Sequence, residues 1–107
     1  MTSRREKIEA MLADEPQDCF LRYSLAMELQ KEGRDEESLA CFRQLMAETP
    51  PHVPSFFMAG QQLTRMGRID EARTILRDGI DQARQQGDTH AAGEMSEFLA
   101  SLGDLGE

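Results

Sequence analysis

The chain has 107 residues, 20 of them acidic and 12 basic, for a net charge of -8. That balance excludes the phosphate-neutralising surface on which nucleic-acid affinity depends, and the length suits one small domain. No apolar run is long enough to cross a bilayer, and MTSRREKIEAML lacks the apolar stretch of a secretory signal, so a cytoplasmic protein bound to neither membrane nor nucleic acid is expected.

Six helices are expected in chain order, and no alternating strand pattern competes with them. The first runs from Arg4 to about Ala13. Ser3 and Glu6 make a capping box at its start, Ile8, Met11 and Leu12 form its apolar stripe, and Pro16 stops it. Asp18 caps the second, whose stripe is Leu21, Leu25, Ala26 and Leu29 and which ends at Gly33. The third opens on Asp35, Glu36 and Glu37, acids that suit the positive end of a helix dipole. Leu39, Phe42, Leu45 and Met46 face inward from it, and Pro50-Pro51 ends it.

Pro54 fits the first turn of the fourth helix, where a missing N–H costs nothing. Phe56, Ala59, Gly60 and Leu63 make its stripe, and Gly67 closes it. The fifth carries Ala72, Ile75, Leu76, Gly79, Ile80 and Ala83, and Gly87 breaks it. Asp88 or Thr89 opens the sixth, with Ala91, Met95, Phe98, Leu99 and Leu102 on one face. The connections are short, so successive helices should pack antiparallel. Cys19 and Cys41 read as small, reduced hydrophobes rather than a disulfide.

The chain also repeats itself. GRDEESLACFRQLM, from Gly33 to Met46, is echoed by GRIDEARTILRDGI, from Gly67 to Ile80, at an offset of 34 residues. At that offset Ala26 falls on Gly60, Leu29 on Leu63, Arg34 on Arg68, Glu37 on Glu71, Ser38 on Ala72 and Phe42 on Leu76. LADEP, Leu12 to Pro16, matches MAETP, Met46 to Pro50, so the first helix reads as the second half of an incomplete repeat.

These positions resemble the tetratricopeptide repeat. The small residues Ala26 and Gly60, the turn glycines Gly33 and Gly67, the early second-helix residues Ser38 and Ala72, and the closing prolines Pro16 and Pro50 carry the resemblance, from Asp18 to about Arg84. Arg22 departs from it, standing where Phe56 supplies an aromatic in the next unit, and Arg84 replaces a third closing proline. The resemblance implies an all-α antiparallel array in a single domain: a half-repeat over 1–17, repeats over 18–51 and 52–86, and a capping helix with a tail over 87–107.

It also implies a concave groove for an extended or helical peptide. Carried over by position, the groove is Phe20, Tyr23, Met27, Gln30, Lys31, Phe57, Met58, Gln61 and Arg65. Aromatics give contact area at low entropic cost, Met adapts its shape, and Lys31 and Arg65 suit carboxylates. The chain has no asparagine, so the lysine–asparagine clamp that some members place on a C-terminal carboxylate is not reproduced. The plainer alternative is that Tyr23 and Phe57 pack between helices, and that Lys31 and Arg65 only complement helix dipoles.

Chemistry finds little support. His90 and Glu94 share a helical face near Asp88, but two residues at this spacing fall short of the three or four ligands a zinc site needs; a surface pair is the simpler reading. No phosphate-cradling loop or nucleophile elbow occurs, and no cofactor is implied. Arg4, Arg5 and Lys7 form a basic cluster read as a solvated face.

The expected function is therefore noncatalytic: binding of a protein or peptide segment by a monomer or weak homo-oligomer. The alternative is a self-associating scaffold that uses the same apolar surface. Because repeats bury their apolar faces only against neighbours, the last helix must close the array. Burying each large side chain on it is worth roughly 1.5–3 kcal/mol, a sizeable share of a total of about 5–15 kcal/mol. Truncation at Gly87 should leave an aggregating or molten protein. A sharp, unchanged melting transition would refute this.

Overall fold

Three of the six helices begin on a side chain that satisfies free backbone N–H groups. The computed structural model describes residues 2–103, and all its regular structure is helical: α1 (Arg4–Asp14), α2 (Cys19–Lys31), α3 (Asp35–Met46), α4 (Val53–Arg65), α5 (Ile69–Gln85) and α6 (Thr89–Leu102). The Ser3 hydroxyl accepts from Glu6 N–H at 3.1 Å and the Glu6 carboxylate accepts from Ser3 N–H at 3.3 Å, completing the capping box. Asp18 accepts from Leu21 N–H at 2.9 Å and Asp88 from Ala91 N–H at 3.0 Å. α3 and α5 have no side-chain cap and rely on acids in their first turns.

Three of the connections are the same turn. Gly33, Gly67 and Gly87 have φ of 78°, 79° and 77°, which L side chains rarely adopt. Gly33 N–H bonds to Gln30 C=O at 3.0 Å, and Arg34 N–H reaches back to Leu29 C=O at 2.9 Å. Gly67 and Arg68 repeat these bonds at 3.0 and 2.8 Å, Gly87 and Asp88 at 3.1 and 2.8 Å. Each pair is a Schellman closure of the outgoing helix. After Gly33 and Gly67 the next helix starts at equivalent positions, and α2 and α4 have bounds that differ by the offset of the sequence repeat.

Ser38, Ala72 and Ala92 follow the three glycines at equal spacing, and all three are buried. This settles the register of α6. Ala92 faces inward, whereas Ala91, assigned to that face from the sequence, is half-buried. α5 runs longer than α3, which moves Gly87 off the sequence period without changing the turn it makes.

The tertiary contacts gather into two units, Met1–Glu48 and Thr49–Glu107. In the first, α1 packs on α2 and α2 on α3. Ile8, Ala26, Leu29, Leu39, Phe42 and Leu45 form its core. The Ser38 hydroxyl donates to Ala26 C=O at 2.7 Å, a buried bond that ties α3 to α2 where small side chains let them approach. Leu21, Leu25 and Met46 are half-buried rather than fully inside. Met11, placed on the apolar stripe of α1, is 50% exposed, because α2 is the main neighbour of α1 and covers a narrow arc of it.

The basic cluster on α1 keeps only part of its expected role. Arg4 Nε lies 2.9 Å from Glu28, and Arg5 pairs with Glu32 at 2.9 Å and with Glu9 at 2.7 Å. The hydrogen bond that Arg5 donates to the Glu32 carboxylate holds the Arg5 pKa above its ordinary value. The face is exposed at Arg4 and Lys7, as expected, but Arg4 and Arg5 also clip α1 to Glu28 and Glu32. Exposed pairs of this kind orient a helix more than they stabilise it.

In the second unit α5 lies against both α4 and α6. Its inward face is Ala72, Ile75, Leu76, Gly79, Ile80 and Ala83, as the period requires. Arg73 is buried too, which the sequence did not reveal. It pairs with Asp70 at 3.2 Å and donates from Nη2 to Gly103 C=O at 2.9 Å, so it satisfies a carbonyl at the end of α6.

The tightest packing is at glycines. A Cβ on Gly79 would stand 2.5 Å from Phe56 Cβ and 2.7 Å from Met95 Sδ, so α4 and α6 both press on α5 there. A Cβ on Gly60 would meet Leu76 Cδ2 at 2.7 Å, a flexible tip that can turn aside. Gly93, on α6, has nothing within 4 Å of its hypothetical Cβ.

Gly79→Ala should therefore destabilise the protein by about 1–3 kcal/mol, despite the higher helix propensity of alanine. Gly93→Ala should stabilise it by about 0.5–1 kcal/mol, with Gly60→Ala between the two. Denaturant midpoints test this order; equal midpoints for the first two variants would contradict the packing.

Candidate functional site

The residues expected to form one groove divide between the two units, five on α2 and four on α4. On α2, Phe20 is 74% exposed and stands in solvent. Tyr23 is half-buried and meets Phe42 of α3 edge to face, with ring centroids 5.9 Å apart and planes at 61°. Its burial pushes the phenol pKa up. Met27 and Gln30 are half-buried, and the Gln30 Nε2 is buried without a hydrogen-bond partner among the described residues. Lys31 lies 3.5 Å from Glu28, the same carboxylate that takes Arg4. The base expected to meet a ligand carboxylate thus already has an acid beside it.

On α4, Phe57 is half-buried and packs edge to face on Phe98 of α6, with centroids 5.8 Å apart and planes at 67°. Met58 and Gln61 are half-buried and Arg65 is exposed. Tyr23 and Phe57, equivalent in the repeat, therefore both pack against a later helix of their own unit and both keep an accessible side. Interhelical packing and partial exposure coexist at these two residues.

Phe57 opens onto a groove of about 310 Å³, lined by Phe57, Glu94, Glu97, Phe98 and Ser101. Four of these five come from α6, which the sequence assigned to closing the array, with Phe98 on its apolar face. Their spacing was the available signal, since residues at i, i+3, i+4 and i+7 share one helical face. What the spacing lacked was the partner: only the packing of α6 against α5 and α4 brings Phe98 to Phe57.

The floor of the groove is aromatic and its rim is acidic. Glu94 lies 3.1 Å from His90 Nε2, the surface pair expected from the sequence. Glu97 has no ion-pair or hydrogen-bond partner among the described residues. The Ser101 hydroxyl turns back to donate to Phe98 C=O at 2.6 Å. α6 carries neither lysine nor arginine.

The first unit has its own smaller cleft of about 180 Å³, lined by Leu12, Pro16, Arg22, Leu25, Cys41 and Gln44. Arg22 is held there by the Glu48 carboxylate. Burial chiefly, helped by the Glu37 charge and opposed by Arg22, pushes the Cys41 thiol pKa up. Among the described residues no three or more His, Cys, Asp or Glu side chains are placed to share a metal ion, and no helix is long and apolar enough to cross a membrane.

Comparison with protein-family models, with curated proteins and with solved structures returns no match for the chain.

Cys19 is exposed and Cys41 is half-buried with a raised pKa. Thiolates are the reactive form, so iodoacetamide at neutral pH should alkylate Cys19 several-fold faster than Cys41. Peptide mass mapping over time reads this, and the reverse order would contradict the packing of α2 on α3.

Proposed function

We propose that the protein is a noncatalytic binding module of tetratricopeptide-repeat type, which holds a segment of another protein against the α4–α6 face of its second unit. The observation that carries this reading is the groove of about 310 Å³ floored by Phe57 and Phe98. Two half-buried aromatic rings beside an open cleft offer apolar area at little entropic cost, as recognition sites for peptides do. The repeated turn, with equivalent glycines and equivalent buried small residues, supports the family reading at the level of local structure. The described residues that line the groove are two carboxylates, a hydroxyl and two rings, groups suited to holding a side chain.

Self-association is the competing reading, favoured by the exposure of Phe20 and Met11 in the first unit. Backbone-amide NMR separates the two. Titration with short peptides that bind the protein should shift signals of Phe57, Glu94, Glu97, Phe98 and Ser101, while sedimentation shows a monomer at every concentration. Phe57→Ala should weaken capture by about 1 kcal/mol or more and leave the helical signal intact. Shifts confined to Phe20 and Met11, growing with protein concentration alone, would instead make the protein a self-associating scaffold.

A further inference from the structure

Resting on the groove reading above, we infer that the segment it takes is basic: an apolar residue flanked by arginine or lysine, rather than the acidic or carboxylate-terminated peptide that the bases Lys31 and Arg65 suggest from the sequence. Three observations converge. The charged groups of the lining are Glu94 and Glu97, both from α6, and no base lines the groove. Glu97 has no partner of its own among the described residues, and two nearby arginines are already engaged by other acids, Arg68 by Glu71 at 2.8 Å and Arg73 by Asp70 at 3.2 Å. Finally, the two exposed carboxylates rim an aromatic pair.

That combination suits a long cationic side chain better than a compact cation. The methylenes of arginine or lysine lie on a ring face while the charged end reaches a carboxylate. Arginine gains most, because its planar guanidinium both stacks on an aromatic and bonds a carboxylate with two N–H groups. The neighbouring apolar residue of the segment covers the exposed side of Phe57 and Phe98. An acidic segment would instead bring its charge against Glu94 and Glu97, with no lysine or arginine on α6 to offset it and only His90 beside Glu94. The chain's net charge of -8 adds a long-range pull in the same direction.

The test uses the full chain and a positional-scanning library of short, terminally blocked peptides, read by fluorescence anisotropy, with binding mapped by NMR. Enrichment of arginine and lysine next to an apolar residue is expected, with affinity that falls as salt is raised. Charge reversal at two exposed positions, Glu94→Lys with Glu97→Lys, should weaken the selected basic peptides about tenfold or more and strengthen their acidic counterparts. Both substitutions lie on the outer face of α6, so the melting temperature should hold. Glu94→Gln with Glu97→Gln, which removes the charge and keeps the shape, should give an intermediate loss.

Selection of neutral or acidic peptides that still shift Phe57 and Phe98 would overturn the basic partner and leave the groove standing. Basic peptides that bind the reversed variant as tightly as the parent, with shifts elsewhere, would overturn both readings. So would a library that yields no binder, or a chain that pairs with itself through this face.

Discussion

The structure depends on one local constraint, a glycine held at positive φ directly after a helix. At Gly33, Gly67 and Gly87 the backbone folds back because the following N–H groups capture the last carbonyls of the outgoing helix. Any L side chain there would cost conformational energy. Once the chain has turned in this way, the next helix begins after a fixed number of residues. Its early small residue, Ser38, Ala72 or Ala92, then lies against the helix just left. The pairing of helices follows from the turn, and the core follows from the pairing.

Close approach is then used differently in the two units. In the first, Ser38 bonds across to Ala26 C=O, and α1 is clipped on by Arg4 and Arg5 through Glu28 and Glu32. In the second, contact is steric: Gly60 makes room for Leu76, and Gly79 lets Phe56 and Met95 close on α5 from two sides. Polar clips tolerate adjustment at the surface, while a glycine squeezed between two helices does not. The second unit is thereby held firmly where its groove lies, and α6 is positioned well enough for Phe98 to meet Phe57.

This bears on function through α6. A helix required to close a core has one face committed to burial, here Ala92, Met95 and Leu102. The adjoining face remains available, and on it Glu94, Glu97 and Ser101 flank Phe98. Core closure and the lining of the groove thus come from one short helix. The acidic character of the groove is a property of that helix rather than of the repeated helices, which carry Lys31 and Arg65.

Much of the fold was legible from residue order alone. Capping residues, turn glycines and the i, i+3, i+4 spacing of apolar residues act over a few neighbours, so they announce helices and turns without any knowledge of the rest. The two aromatics that border the accessible faces, Tyr23 and Phe57, were visible for the same reason, through repetition. What tertiary packing alone decided was partnership across helices: Arg4 and Arg5 with the acids of α2, Arg73 with the end of α6, Ala92 rather than Ala91 facing inward, and Phe98 beside Phe57. Such pairings join residues far apart in the chain and depend on how one helix is rotated against another, which local spacing leaves open by tens of degrees. A single residue of rotation was enough to exchange Ala91 for Ala92, and the meeting of α4 with α6 gave the groove its acidic rim.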